Sequence, residues 1–191
     1  LMALVTGLSA GVCEELARYL VLRFWRREAR SWAQGVAFGA GHGGVESILT
    51  GLLVLATFAQ MIALRGMDPS TLGLSGEMLE QAQAQVDAFW AISWYLPLLG
   101  GLERVFAITI QIGLSLLVVR ALTHRNLGWL GVAVLGHALV DGVAVGLARS
   151  GWPLPAVEGV VLLFALGAAA IILALRPRPV QEDNVSRETL T

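Results

Sequence analysis

The chain has 191 residues, a formal net charge of −1 and a 56% share of hydrophobic residues. With a mean hydropathy of +0.71, this composition is typical of an integral membrane protein and excludes an ordinary soluble domain. All thirteen basic residues are Arg, and they lie at segment ends without building a basic face, which excludes nucleic acid as a partner. Cys13 is the only cysteine, so the sequence holds no internal disulfide or cysteine-rich zinc site. We expect Cys13 to pack as a small apolar residue.

Five apolar segments are each long enough to cross a bilayer as a helix, which takes about 20 residues. In chain order they are 1–22, 32–64, 88–122, 127–148 and 154–175. The third is longer than one crossing needs, and we expect a kink or break in it at Pro97, Gly100 and Gly101. A short interfacial helix is predicted over 75–87. The sequence therefore predicts an all-α integral membrane protein with about five transmembrane helices.

Arginine placement predicts the orientation, because loops rich in Arg stay on the cytoplasmic side. The connections 23–31 and 120–126 and the tail after residue 175 hold most of the Arg residues. They fall on one side if each segment crosses once, so we expect a bacterial cytoplasmic-membrane protein with a cytoplasmic C-terminus. Residues 1–176 form the predicted transmembrane helical domain and 177–191 a polar, disordered tail. The sequence begins inside an apolar run without a signal-peptide pattern, so we also expect an N-terminal truncation with further spans before it.

Four of the five segments carry ionisable or polar residues at membrane depth, where charge is costly and usually marks a functional site. They are Glu14, Glu15 and Arg18; His42 and Glu46; Glu103, Arg104 and Gln111; and His137 and Asp141. At a rise of about 1.5 Å per residue, antiparallel helices would bring these groups to nearly one plane, near the midplane or in its cytoplasmic half. We therefore predict a polar site in the interior of the helix bundle.

The motif Glu14-Glu15-x-x-Arg18 is the strongest of these signals. Glu14 and Arg18 are four residues apart and share a helix face, so Arg18 is expected to screen Glu14 and leave Glu15 on a neighbouring face. A carboxylate in a pocket of low dielectric constant suits a general base acting on water. The alternative is a structural ion pair that locks two helices, but three charges in one turn exceed what a lock requires.

The histidines follow the same spacing, since His42 with Glu46 and His137 with Asp141 are both i, i+4 pairs. Asp141 is expected to orient the imidazole of His137 through a ring nitrogen. Arg104, beside Glu103, is expected to bind a substrate carbonyl or to neutralise a site carboxylate, and a structural role is equally open.

A small-residue stripe precedes His42 on the same helix. Gly35, Gly39 and Gly43 repeat at intervals of four residues and predict close approach of another helix.

The order and spacing of these motifs, from about residue 10 to residue 145, resemble those of the CPBP (or ABI) superfamily of CAAX-prenyl-protease-like intramembrane proteases. The superfamily motifs are Glu14-Glu15-x-x-Arg18, Phe38-x-x-x-His42 and His137-x-x-x-Asp141, with two residues here where the superfamily usually has three before Arg. The wider pattern resembles the YhfC family of bacterial intramembrane proteases. That pattern is Gly-x-Gly-His-Gly-Gly-x-Glu-Ser at 39–47, Glu103-Arg104-x-x-Ala107 and His-Ala-Leu-Val-Asp at 137–141.

The resemblance implies a peptidase acting on a peptide or a membrane protein in contact with lipid. Glu14 would activate the attacking water with help from Glu15, while His42 and His137 would hold or polarise that water. The supporting residues would be Arg18, Glu46, Asp141, Glu103 and Arg104.

Two mechanisms and two functions remain open at this stage. His42, His137 and Glu46 are candidate zinc ligands, and such a site would leave one position open. The lack of a His-Glu-x-x-His helix favours the metal-free, glutamic mechanism, so we expect no cofactor and keep zinc as the alternative. A proton- or ion-coupled transporter could use the same buried carboxylates and histidines, although no internal inverted repeat is visible.

Overall fold

A computed structural model of the chain describes residues 1–67, 71 and 73–178, and these residues form helices without any strand. The helices are α1 (Met2–Leu20), α2 (Trp32–Arg65), α3 (Glu77–Trp90), α4 (Tyr95–Thr123), α5 (Gly128–Arg149) and α6 (Leu154–Ala174). A π-helical turn, Val21–Trp25, continues α1. The all-α prediction is confirmed. The predicted tail lies outside the described residues apart from Pro177 and Arg178.

Four of the described helices, α2, α4, α5 and α6, are long and apolar enough to cross a membrane, judged by length and composition. The first predicted span corresponds to α1, which has 19 residues and carries Glu14, Glu15 and Arg18. It lies along α5 in the most extensive helix contact of the described residues.

The predicted third segment, 88–122, is not one helix. The break falls at 91–94, between the end of α3 and the start of α4, and not at Pro97, Gly100 and Gly101 as expected. Pro97 lies in the first turn of α4, where a missing backbone N–H leaves no intrahelical hydrogen bond unmade. α4 is nevertheless a single candidate span, and α3 takes the place of the predicted interfacial helix.

α2 begins at a capping box. The N–H of Gln34 donates to the side chain of Ser31 at 3.3 Å, and the N–H of Ser31 donates to Oε1 of Gln34 at 3.1 Å. The 34 residues of α2 rise about 51 Å, more than the roughly 30 Å of a hydrocarbon core. Its far end packs on α3, where the guanidinium of Arg65 lies 4.4 Å from the ring centroid of Trp90.

Glycines set the closest helix contacts, as the 35/39/43 stripe predicts. A Cβ atom on Gly39 would lie 2.5 Å from Cα of Ile112, and one on Gly43 would lie 3.0 Å from Cα of Ile108, so α4 approaches α2 backbone to backbone. Gly11 of α1 meets α5 in the same way, with its Cβ position 2.5 Å from the carbonyl oxygen of Val134. α4 is the central helix, and the buried apolar residues gather around its second half.

Gly43→Leu should destabilise the protein, because the new side chain would meet the α4 backbone. Overpacking of this kind typically costs about 1–3 kcal/mol. Gly44→Leu is the matched control, since a Cβ atom there meets nothing within 4 Å. Thermal unfolding in detergent should show a lower Tm for Gly43→Leu alone. An unchanged Tm for both variants would mean that α2 does not pack on α4 through this stripe.

Candidate active site

Glu14 lies at the centre of a polar cluster built by α1, α2, α4 and α5. Its Oε2 lies 3.2 Å from Nε2 of His42 and 3.9 Å from Nε2 of His137. The side-chain amide of Gln111 lies 3.5 Å from the same oxygen. Residues that lie up to 123 positions apart in the sequence thus surround one carboxylate oxygen, and the predicted polar interior is present.

Neighbouring residues of α1 face different surroundings, because each step along a helix turns the side chain by about 100°. The side chains of Glu14 and His42 are 37% and 32% exposed, so they are accessible from outside the bundle. Glu15 and Arg18 point into the bundle and are almost fully buried. The motif therefore divides into one accessible carboxylate and one buried ion pair.

The buried ion pair joins Glu15 to Arg18, whose NH1 lies 3.2 Å from Oε1 of Glu15. The spacing of four residues led us to expect Arg18 to screen Glu14, and that pairing is not the one observed. Both members of the observed pair face α4 and α5, whereas Glu14 faces His42 on α2. Arg18 also donates hydrogen bonds to the side-chain and main-chain oxygens of Gln111.

His137 is held by the same buried carboxylate, since its Nδ1 lies 2.8 Å from Oε1 of Glu15. An ionised carboxylate only accepts hydrogen bonds, so we assign the proton of the neutral imidazole to Nδ1. Nε2 is then the acceptor nitrogen, and the carboxylates of Glu14 and Asp141 lie 3.9 and 3.6 Å from it. Asp141 lies 3.6 Å from Nε2, beyond hydrogen-bond distance, so the bond that orients the ring comes from Glu15 and not from Asp141 as expected.

Gln111 bridges two carboxylates. The sequence placed it among the polar residues at membrane depth but assigned it no catalytic or ligand role. Its Nε2 donates to Oε2 of Glu46 at 2.9 Å and lies 3.5 Å from Oε2 of Glu14. Arg18 can only donate, so its bond to Oε1 fixes the amide with its NH₂ group toward the carboxylates. Arg104, Gln111 and Ser115 follow one another at intervals of seven and four residues and so form one polar stripe on α4.

Arg104 and Glu103 border this cluster. Arg104 contacts Glu103, and its NH1 lies 3.5 Å from Oε1 of Glu46. Arg104 thus lies within ion-pair distance of a site carboxylate, and its expected role in neutralising that carboxylate or binding a substrate carbonyl stays a prediction. Glu103 reaches the cluster through Arg104.

Residues 1–162 match a family described as YhfC intramembrane metalloprotease. The chain belongs to this family. It is also 40% identical, over 139 residues, to "Uncharacterized membrane protein YhfC" of Bacillus subtilis (strain 168). That match covers 72% of this chain and 54% of the relative, so the chain spans about half of the relative's length. No solved structure matches the chain.

A YhfC metalloprotease implies a metal, and the residues present fit one. Within the described part of the chain, Glu14, His42 and Glu46 offer three ligand atoms that all lie within 4.8 Å of one another. Catalytic zinc sites use three nitrogen and oxygen ligands of this kind and keep a fourth position open. Two of the predicted ligands, His42 and Glu46, belong to this group, and Glu14 takes the place predicted for His137.

Proposed function

We propose that the chain is a membrane-embedded peptidase, of the CAAX-protease-like type, that hydrolyses a peptide bond in or beside the bilayer. The contact of Glu14 with the ring nitrogens of His42 and His137, at 3.2 and 3.9 Å, carries this proposal. A carboxylate and two imidazoles around a partly open space are the groups that general acid–base hydrolysis needs. Membership of the YhfC family supports the same reaction class.

In the proposed reaction Glu14 takes a proton from the attacking water. Nε2 of His137, as an acceptor facing Glu14, receives that proton and delivers it to the leaving amine. His42 fixes the position of Glu14 through the 3.2 Å contact. Glu15 and Arg18 hold His137 in the required tautomer, and the Gln111 amide offsets repulsion between Glu14 and Glu46.

Zinc, if bound, would be held by Glu14, His42 and Glu46, and it would polarise the peptide carbonyl or the water as a Lewis acid. With zinc bound, Glu14 would be a ligand and not the base. His137 lies outside this ligand group, so its Nε2 would then take the proton of the water and deliver it to the leaving amine. Substitution of His42 should therefore remove bound zinc, whereas substitution of His137 should not.

We expect His42→Ala and His137→Ala each to abolish most peptide hydrolysis, and only His42→Ala to lose bound metal. The test is reconstitution of the purified protein in lipid vesicles with a peptide library, with cleavage followed by mass spectrometry and zinc by elemental analysis. Full hydrolysis by both variants would contradict the proposed site. Active wild-type protein that is free of metal and insensitive to chelators would support the glutamic mechanism.

We further propose that the 23–31 connection and the C-terminal end face the cytoplasm of a bacterial cell, because Arg-rich connections stay inside. Glu28→Cys and Arg178→Cys should react with a membrane-impermeant thiol reagent from one side, and Ser150→Cys from the other. Cys13 is exposed, contrary to the expectation that it packs, so the test needs a Cys13→Ser background. Labelling of residues 28 and 178 from opposite sides would overturn this orientation.

A further inference from the structure

A groove of about 620 Å³ runs along α2 beside the polar cluster. Its polar lining comes from Glu14, His42 and Glu46, the same residues that form the candidate metal group. The remaining lining comes from α2 and is apolar, namely Ala37, Phe38, Gly41, Val45 and Leu49. One continuous surface therefore leads from apolar side chains to the candidate catalytic carboxylate.

The groove lies between α1, which supplies Glu14, and α2, which supplies the rest of its lining. α1 packs on α5 and α2 packs on α4, whereas α1 and α2 make no extensive contact among the described residues. Val45 and Leu49 are 58% and 57% exposed, and both lie in a helix apolar enough to cross the membrane. Exposed apolar side chains of a candidate membrane span therefore line the groove.

We propose that this groove binds an apolar side chain of a peptide segment that reaches Glu14 from the lipid between α1 and α2. This inference rests on the proposed peptidase function and names its substrate class. Apolar walls at membrane depth suit an apolar segment, since a charged one would have to give up its hydration. The polar residues at Glu14 then meet the peptide bond, which a lipid chain does not have.

Gly41 sets the size of the side chain that fits. It lines the groove, it is exposed, and a Cβ atom built on it meets nothing within 4 Å. Larger residues at this position would therefore fill the groove without disturbing the helix packing. Gly39, two residues earlier, lies against α4 and could not serve this purpose.

The test uses single-span apolar peptides in lipid vesicles that differ only in one residue, Ala or Leu, beside the mapped cleavage site. The wild type should cleave both peptides. Gly41→Leu should cleave the Leu peptide more slowly than the Ala peptide, by on the order of tenfold or more, because one methylene in an apolar pocket already changes rates by roughly 10–200-fold. Gly41→Ala should show a smaller difference.

Gly131→Leu is the matched control, since Gly131 is also an exposed helical glycine with open space around it but lies outside the groove. It should cleave both peptides like the wild type. Equal cleavage rates for the Ala and Leu peptides with Gly41→Leu, whether fast or slow, would overturn the inference. A wild type that cleaves neither peptide would overturn the proposed function as well.

Cross-linking tests occupancy of the groove apart from cleavage. In a background of Cys13→Ser and Glu14→Gln, Val45→Cys should form a disulfide with a cysteine beside the cleavage site of the peptide under oxidising conditions. Ile48→Cys, exposed on the same helix but outside the groove, should not. Equal cross-linking at both positions, or none at either, would overturn the inference.

Discussion

Glu14→Gln should lower peptide turnover by about 10²–10⁴-fold, the range that general-base catalysis typically contributes. The amide keeps nearly the same volume as the carboxylate, but it cannot accept a proton from water at neutral pH. Substrate affinity should hardly change, because Glu14 acts on the water and not on the ground-state peptide. The measurement is single-turnover cleavage in vesicles over a range of substrate concentrations, which separates turnover from binding.

Glu158→Gln is the matched control for this experiment. Glu158 is a buried carboxylate near the start of α6, and it makes no hydrogen bond to the cluster around Glu14. The same chemical change there should leave turnover as in the wild type. Full turnover by Glu14→Gln would remove Glu14 from the reaction and, with it, the roles assigned through its contacts with His42 and His137.

Arg18→Met should destabilise the protein by about 3–5 kcal/mol, the usual cost of removing one member of a buried ion pair. Glu15 would keep its charge in the interior without its cation, and the Gln111 amide would lose the donor that fixes it. The free energy of unfolding can be measured by denaturant titration in micelles.

Two further variants separate the ion pair from simple loss of volume. Adding Glu15→Gln to Arg18→Met should restore part of the stability, because the uncompensated charge disappears. Arg26→Met removes the cation of an exposed pair with Glu28 and should scarcely change stability. Equal losses for the single and double variants would show that the side-chain volume of Arg18, and not its charge, supports the fold.

The helices were predictable because their apolar segments are long. The glycine stripe on α2 predicted the close approach of another helix, and that helix is α4. The break at 91–94 was missed because Pro97 and the glycines after it are residue types that break helices more strongly than the residues at 91–94 do. A proline in the first turn of a helix removes no intrahelical hydrogen bond. Residue type alone, without its position in the helix, therefore predicted the break at the wrong residues.

The members of the polar cluster were largely predictable, but their pairing was not. Spacing along one helix shows which residues share a face, whereas partners across helices depend on how each helix is rotated about its axis. The contact of Gly11 with α5 fixes that rotation for α1 and turns Glu15 toward His137. Gln111 was predicted to belong to the polar interior, but its spacing from Arg104 on one helix does not show that its amide bridges Glu14 and Glu46 on two other helices.

Because α1 and α2 differ in length, the thickness of the bilayer should affect how these two helices are positioned at the site. The 19 residues of α1 rise about 29 Å and match a typical hydrocarbon core, whereas α2 is longer by roughly 20 Å. A helix with such an excess tilts or thickens the lipid around it, at a cost that grows with each ångström of mismatch. Glu14 lies on the matched helix and His42 on the mismatched one. Lipid chain length is therefore one of the variables that set the separation of these two side chains.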